Sequence, residues 1–333
     1  MFRKILYIQL VIMAINIFNL SILQADEEEG SFDDWIAHIK QLAKEKGISD
    51  ETLSVSFENI ERIERVIELD RKQPEFTLTL NEYLNNTVTK GRMNKGKNFY
   101  DEHNDLLKII SNEFKVQPRF ILALWGIETS FGKFTGSFNV IRSLSTLSHD
   151  LRRRDFFTDE LINALTIIDQ GHINSDEMMG SWAGAMGQNQ FMPSSFLNYA
   201  TDFNSDKRKD IWTTLSDVFA STANYLSQSG WNDNETWGRE VEILNPINGE
   251  FITTSAKNIN VQKKLIEWKK LGVINLDGTN LPQKDIDAYL VYPEGIDGKK
   301  YLVYSNFKTL MKWNRSLFFG ISVGTLSDMI EYY

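Results

Sequence analysis

One acidic side chain stands at the end of an apolar run. In Pro118-Arg119-Phe120-Ile121-Leu122-Ala123-Leu124-Trp125-Gly126-Ile127-Glu128 the carboxyl of Glu128 closes the segment. Proline is tolerated in the first turn of a helix, so a helix can begin at Pro118. On that helix Ile121, Leu124, Ile127 and Glu128 share one stripe, which directs the carboxyl toward the core. Burial takes solvation from the charged form and predicts a raised pKa, hence a proton donor near neutral pH. Such a group suits protonation of a glycosidic oxygen. A structural glutamate, paired with an arginine or capping Ser130, accounts for the same residue and stays open on this reading.

The residues that follow place Glu128 at an edge. Thr129-Ser130-Phe131-Gly132-Lys133-Phe134-Thr135-Gly136 ends the helix beside a glycine-containing turn. A second segment, Gly180-Ser181-Trp182-Ala183-Gly184-Ala185-Met186-Gly187-Gln188-Asn189-Gln190-Phe191-Met192-Pro193-Ser194-Ser195, combines small residues with amides and hydroxyls. Small residues allow close backbone approach to a ligand, and amides satisfy sugar hydroxyls and N-acetyl groups. A structural loop explains its composition equally well.

Other chemistries find less support. His38, His103, His149 and His172 have no metal-ligand spacing, and no Gly-x-Ser-x-Gly elbow occurs. Gly91 to Asn98 nearly spells a phosphate loop, but Asn98 replaces the hydroxyl residue and no apolar strand precedes it, so a helix start or surface loop is expected. Asp150, Asp155 and Asp159 lie among Arg152, Arg153 and Arg154 and read as a solvated, paired helix face. Asp202-Phe203-Asn204-Ser205-Asp206-Lys207-Arg208-Lys209-Asp210 puts oxygen side chains at positions one, three, five and nine of an EF-hand-like loop. Lys207 replaces the usual glycine, and Thr213 the final glutamate. An internally paired turn is the alternative.

Helices must position these residues. Trp35, Ile36, Ile39, Leu42 and Ala43 recur at helical spacing, and Leu78, Leu80 and Leu84 lie in a further apolar stretch, so residues 26–97 read as a helical lead-in. Residues 98–237 hold the distinctive motifs. In 238–333 the aromatic and β-branched runs 288–292 and 300–304, separated by Gly295 to Gly298, predict a hairpin before a final helical stretch from Leu310.

The chain of 333 residues carries 36 basic against 45 acidic side chains, a balance that argues against a nucleic-acid partner. It has no cysteine, which removes disulfides, thiol nucleophiles and a lipid anchor on cysteine. Met1 to Ala25 runs from basic through apolar to small, the pattern of a secretory signal peptide or, uncleaved, of an N-terminal membrane anchor. The expected compartment is the periplasm, with any membrane contact made through that leader.

The chain resembles the lytic murein transglycosylases of the membrane-bound B type. The motifs are Trp125 to Gly132, Gly180 to Ser195 including Gln190-Phe191-Met192-Pro193, Ala223-Asn224-Tyr225-Leu226 with Gly230-Trp231, Glu68 to Phe76, and Trp313-Asn314-Arg315-Ser316. The resemblance implies a mainly α (α+β) fold: a lysozyme-like catalytic core, a helical N-terminal region and a small β-rich C-terminal insertion. It implies non-hydrolytic cleavage of the β-1,4 bond between N-acetylmuramic acid and N-acetylglucosamine in peptidoglycan glycan strands, leaving 1,6-anhydromuramoyl ends. A hydrolytic muramidase and a non-catalytic peptidoglycan-binding scaffold are the alternatives. By the same resemblance Glu128 is the single acid/base, and Ser181, Gln190, Tyr225, Asn314 and Tyr83 contact substrate. No cofactor is required. A structural calcium would lie among Asp202, Asn204, Asp206, the Arg208 carbonyl and Asp217. Trp313 and Phe319 stand where relatives often carry tyrosine, so only stacking or packing is expected of them.

Overall fold

The computed structural model describes residues 30–72 and 78–331. The leader Met1–Ala25 and the end of the Glu68 to Phe76 motif, from Gln73, lie outside the described residues. Helices dominate. The lead-in folds as α1 (Phe32–Glu45), α2 (Asp50–Ser56), α3 (Glu64–Arg71), α4 (Leu80–Thr87) and α5 (Lys90–Glu102). Ser31, Ser49, Thr79 and Thr89 start four of these by accepting a backbone N–H of the first turn, and Thr79 with Glu82 forms a capping box. Helix α5 absorbs the near-phosphate motif Gly91 to Asn98, as the reading of a helix start anticipates.

Next come α6 (Asn104–Phe114), α7 (Pro118–Thr129), α8 (Val140–His149), α9 (Arg154–Asp169), α10 (Pro193–Tyr199) and α11 (Leu215–Gln228). Helix α7 begins at Pro118, whose missing N–H costs nothing in the first turn. Its burial differs from the single stripe expected. Phe120, Ile121, Leu122, Ala123 and Leu124 are all at most 1% exposed. The helix is enclosed because α5, α6, α11 and the closing helix α14 (Leu317–Glu331) pack around it. A helix apolar on every side belongs in the centre of a helical body, at about 1.5–3 kcal/mol for each large apolar side chain buried. Gly126 permits the approach of α14: a Cβ there would lie 2.8 Å from the Phe131 ring and 3.3 Å from Leu326.

Between α11 and α14 sits a sheet built of β3 (Gly238–Ile243), β4 (Ile252–Thr253), β5 (Lys263–Lys264), β6 (Val273–Asn275), β7 (Asp287–Val291) and β8 (Lys300–Tyr304), with α12 (Leu265–Lys270) and α13 (Ser305–Trp313). The pair β1 (Phe138–Asn139) and β2 (Met179–Gly180) forms a separate two-stranded ribbon. The hairpin expected at residues 288–304 forms as β7–β8, with Tyr289 opposite Val303 and Leu290 opposite Leu302. Alternation along these strands divides two cores. Tyr289, Val291, Tyr301 and Val303 face the helical body, while Ala288, Leu290, Leu302 and Tyr304 join Trp268 and Leu265 of α12 in a smaller cluster.

The acidic face expected at Asp150, Asp155 and Asp159 is only partly solvated. Asp155 and Asp159 are exposed, but Asp150 is 7% exposed and caps the short turn before α9. It accepts from Arg71 Nη2 at 2.9 Å, while Arg152 Nη1 donates to Asp70 at 3.1 Å. The adjacent Asp70 and Arg71 thus exchange partners with Asp150 and Arg152, pinning α3 across the start of α9.

Candidate active site

Helix α7 stops where it does because three successive residues turn left-handed. Ser130, Phe131 and Gly132 have φ of 53°, 61° and 75°. For the two residues with a Cβ this conformation costs about 1–2 kcal/mol each. Packing offsets that cost, since the Phe131 ring is buried edge-on against Trp125 at 5.3 Å and lies 5.3 Å from Phe99. Ser130 N–H and Phe131 N–H return to the carbonyls of Gly126 and Trp125. Glu128 is therefore fixed in the last turn, half-buried at the edge of the core.

Gln188 fastens this helix end to the glycine-rich segment. Trp125 Nε1–H donates to Gln188 Oε1 at 2.7 Å, Thr129 Oγ1 donates to the Gln188 carbonyl at 3.1 Å, and Gln188 Nε2 donates to the Trp212 carbonyl at 2.8 Å. Asn189 Nδ2 donates to the Val218 carbonyl and Thr222 Oγ1. Both amides are nearly inaccessible and tie the loops together, which fits the structural-loop reading at these two positions. Gly136 has φ of 103°, and a Cβ there would fall 1.9 Å from the Gly180 carbonyl oxygen, so only glycine lets the two loops touch.

Among the described residues the carboxyl of Glu128 has one hydrogen-bond partner. Trp313 Nε1–H, at the end of α13, donates to Glu128 Oε1 at 2.7 Å. Burial raises the pKa of Glu128 to about 7, with the Trp313 hydrogen bond opposing the rise. Neither cause is a neighbouring charge. The bond corrects the expectation that Trp313 offers only stacking or packing, because an indole replaces a phenol without losing the donor. Phe319, 4% exposed in α14, does supply packing alone. No spacing in the sequence connects positions 128 and 313; the only signal was the unexpected Trp in a motif already singled out.

An aromatic set holds the Trp313 indole. Tyr225 lies edge-on at 4.7 Å and Phe191 at 5.2 Å, while Tyr199 backs Tyr225 at 4.5 Å. The Tyr225 hydroxyl donates to the Lys312 carbonyl at 2.7 Å, and its ring is 9% exposed. This residue, expected to touch substrate, packs on Trp313 and bonds the carbonyl before it. Tyr83 is half-buried, edge-on to Phe318 at 5.7 Å. Burial and the charge of Glu128 both raise its pKa, while a hydrogen bond with Ser322 lowers it.

Ser181 and Gln190 flank the same loops. Ser181 Oγ accepts the Ala185 N–H at 3.0 Å, and Gln190 Nε2 donates to the carbonyls of Thr135 and Gly187 at 3.0 Å each. Asn314 is exposed next to Trp313, at the cap of α13.

The loop 202–217 joins these segments through Trp212, whose carbonyl accepts from Gln188. Asp202 accepts the N–H groups of Asp206 and Lys207, Asp206 accepts that of Arg208, and Asp217 accepts those of Phe203 and Asp210. Lys207, in the place of the usual glycine, has φ of 75°. Arg208 turns its guanidinium to the His172 carbonyl at 3.1 Å. Burial, with help from the Asp202 charge, raises the Asp217 pKa, which puts the two carboxyls near one another. Their all-oxygen chemistry suits calcium. Their arrangement is closed by main-chain amides, and among the described residues no three acidic or histidine side chains converge on a metal position.

Comparison with known proteins gives the family. Residues 31–328 match the family described as Transglycosylase SLT domain. Membrane-bound lytic murein transglycosylase B of Escherichia coli (strain K12) is 28% identical over 256 residues, covering 74% of this chain and 66% of that relative. The crystal structure of SltB3 from Pseudomonas aeruginosa, in complex with NAG-anhNAM-pentapeptide, has 35% identity and a TM-score of 0.86 over 91% of this chain and 80% of that one. Escherichia coli Slt35, solved in complex with calcium, shares the fold at 24% identity and a TM-score of 0.74, covering 92% and 93% of the two chains. Identity in sequence along most of the chain and the same arrangement in space lead to one assignment: the chain belongs to the Transglycosylase SLT domain family of lytic transglycosylases.

Proposed function

We propose that the chain cleaves the β-1,4 bond between N-acetylmuramic acid and N-acetylglucosamine in peptidoglycan, without water, and closes a 1,6-anhydro ring on the muramoyl residue. The supporting observation is the half-buried carboxyl of Glu128, with a pKa of about 7 and an indole donor at 2.7 Å. Protonated, Glu128 gives its proton to the glycosidic oxygen as the bond to C1 breaks. The carboxylate so formed takes the proton of the C6 hydroxyl as O6 bonds to C1. One carboxyl thus serves both halves, and the proton balance closes without a water molecule. Trp313 favours the charged form that develops between the two transfers. A retaining or inverting hydrolase instead works with two carboxyls about 5–9.5 Å apart.

Ser181, Gln190, Asn314 and Tyr83 are proposed to contact the sugars around Glu128, with Tyr225 acting through Trp313. The test is mass spectrometry of products from purified peptidoglycan, run with wild type and Glu128→Gln. Anhydromuramoyl ends that vanish in the variant support the reading. Reducing muramic ends would mean hydrolysis, and equal product from both proteins would remove Glu128 from the chemistry.

Two further parts belong to this proposal. The leader directs the chain to the periplasm, and N-terminal sequencing of exported protein checks cleavage after Ala25. No helix among the described residues is long and apolar enough to cross a membrane. Calcium is proposed for a structural role only, with Asp202, Asn204, Asp206, the Arg208 carbonyl and Asp217 as oxygen donors. A saturable rise in Tm on calcium titration, with turnover unchanged, supports that role; a flat titration removes calcium from this protein.

A further inference from the structure

Helix α7 ends without a cation of its own, since no basic residue stands in its last turn. A helix end concentrates unpaired carbonyls and partial negative charge, so a cation there is favourable. Helix α5 supplies it. Lys95 Nζ donates to the Ser130 carbonyl at 3.3 Å, and Ser130 is the left-handed cap of α7. The same ammonium lies 5.4 Å from the centre of the Phe131 ring and 5.5 Å from that of Phe99. Lys95 thus engages both left-handed residues that carry a Cβ, one through its carbonyl and the other through its ring.

The close approach of α5 makes this reach possible. Gly96 is buried, and a Cβ there would lie 2.7 Å from Ile330 Cδ1 and 3.4 Å from the Phe131 ring. A larger residue would hold α5 away from α14 and from the turn. Lys95 itself is half-buried, so its ammonium is less hydrated than on an open surface and its contacts are stronger. Ser130 and Phe131 keep φ of 53° and 61°, a conformation that persists only where the surroundings over-determine it.

We propose that Lys95 is a positioning residue for Glu128: by fastening the left-handed turn 130–132 to α5, it fixes the place of the carboxyl that precedes the turn. This rests on Glu128 acting as the acid/base, as proposed above. The causes of the raised pKa of Glu128 are burial and the opposing Trp313 bond, and its own charge acts on the Tyr83 phenol of α4. Lys95 therefore works on the carboxyl by place and not by charge.

Lys95→Met keeps the stem and removes the ammonium, whereas Lys95→Arg keeps a charged donor. Releasing the turn lets water reach the carboxyl, so in Lys95→Met the pKa of Glu128 should fall by about half to one pH unit. Loss of a nearby positive charge would by itself raise that pKa, so the sign separates position from charge. The measurement is an NMR titration of isotope-labelled glutamate carboxyls in the full chain, with Glu128→Gln assigning the resonance. In the anhydromuropeptide assay kcat should drop about three- to tenfold with KM held, and Lys95→Arg should recover most of the loss. A pKa that is unmoved or higher in Lys95→Met, an unchanged kcat, or an equal loss in Lys95→Arg overturns the positioning role. Should Lys95→Met not fold, Lys95→Gln carries the same test, because it removes the charge and shortens the reach. Should wild type release no anhydromuropeptide, the catalytic reading of Glu128 fails instead, and the NMR titration alone then judges whether Lys95 fixes the carboxyl.

Discussion

Replacing Trp313 with phenylalanine isolates the indole N–H from the ring that carries it. The Trp313→Phe side chain keeps an aromatic surface for Tyr225 and Phe191, now at 4.7 and 5.2 Å, but offers nothing to Glu128 Oε1. A hydrogen bond to a charged group contributes about 1.5–3 kcal/mol, and 1.36 kcal/mol corresponds to one pH unit in a pKa. Because the bond favours the carboxylate, its loss must raise the pKa of Glu128 further, by about one pH unit once partial solvation is allowed for. The first proton transfer needs the acid form, so in wild type kcat/KM should decline above about pH 7. In Trp313→Phe that alkaline limb should move upward by about one pH unit. The plateau should drop about three- to tenfold, since the developing carboxylate is less well stabilised. The assay is the initial rate of anhydromuropeptide release between pH 5 and 9. A limb that stays in place, or moves down, would refute the electrostatic role given to Trp313 and leave it a packing residue.

Glu128→Gln should lower turnover by about a thousandfold and yet stabilise the fold at alkaline pH. The folded pKa of about 7 lies above the ordinary carboxylate value, so the wild-type fold is progressively disfavoured as pH rises from about 4.5 through 7. The variant should therefore gain about 2–3 kcal/mol at pH 8 and almost nothing at pH 4, read as Tm differences; equal gains at both would count against burial as the cause. Gln188→Ala removes partners from Trp125 and Trp212 and should cost about 2–3 kcal/mol, with a loss of activity that follows the loosened end of α7. Urea unfolding without a change in midpoint would contradict it. Arg71→Ala should cost about 1 kcal/mol, because the Arg71 side chain is 61% exposed while Asp150 is not. Burial acts to raise the Asp150 pKa, but the Arg152 amide and Arg71 hold it below the usual range, so this contribution is present above that range and lost as pH falls through the folded pKa. An Arg71→Ala penalty that persists in strong acid would argue for packing instead.

The catalytic helix was legible because its information is local. Pro118 marks its start, the glycine turn marks its end, and the apolar run carries Glu128 inward. What periodicity could not supply was the number of neighbours: a stripe of three apolar positions looks alike whether one helix or four pack around it, and here four do. Trp313 escaped for a related reason. Its hydrogen bond joins residues 185 apart in the chain, and a resemblance that records tyrosine at that place weighs the missing hydroxyl without seeing that an indole N–H can point the same way. At Gln188 and Asn189 composition leaves both readings open, because an amide that binds sugar and an amide that ties two loops are the same residue until burial separates them.

That separation also bears on how one carboxyl can act twice. A proton donor that must become a base within one turnover needs both forms close in energy, which is what a pKa near 7 means at neutral pH. Burial alone would make the acid form persistent and the carboxylate costly. A strong cationic partner would do the reverse. A neutral donor at 2.7 Å, supported by Tyr225 and through it by the Lys312 carbonyl, moderates the first effect without introducing the second. The left-handed run after Thr129 keeps the carboxyl at the core edge, where burial is partial and a sugar can reach it. The backbone strain at Ser130 and Phe131, the indole of Trp313 and the half-buried position of Glu128 are therefore one arrangement, and relaxing any one of them should disturb the balance between acid and base.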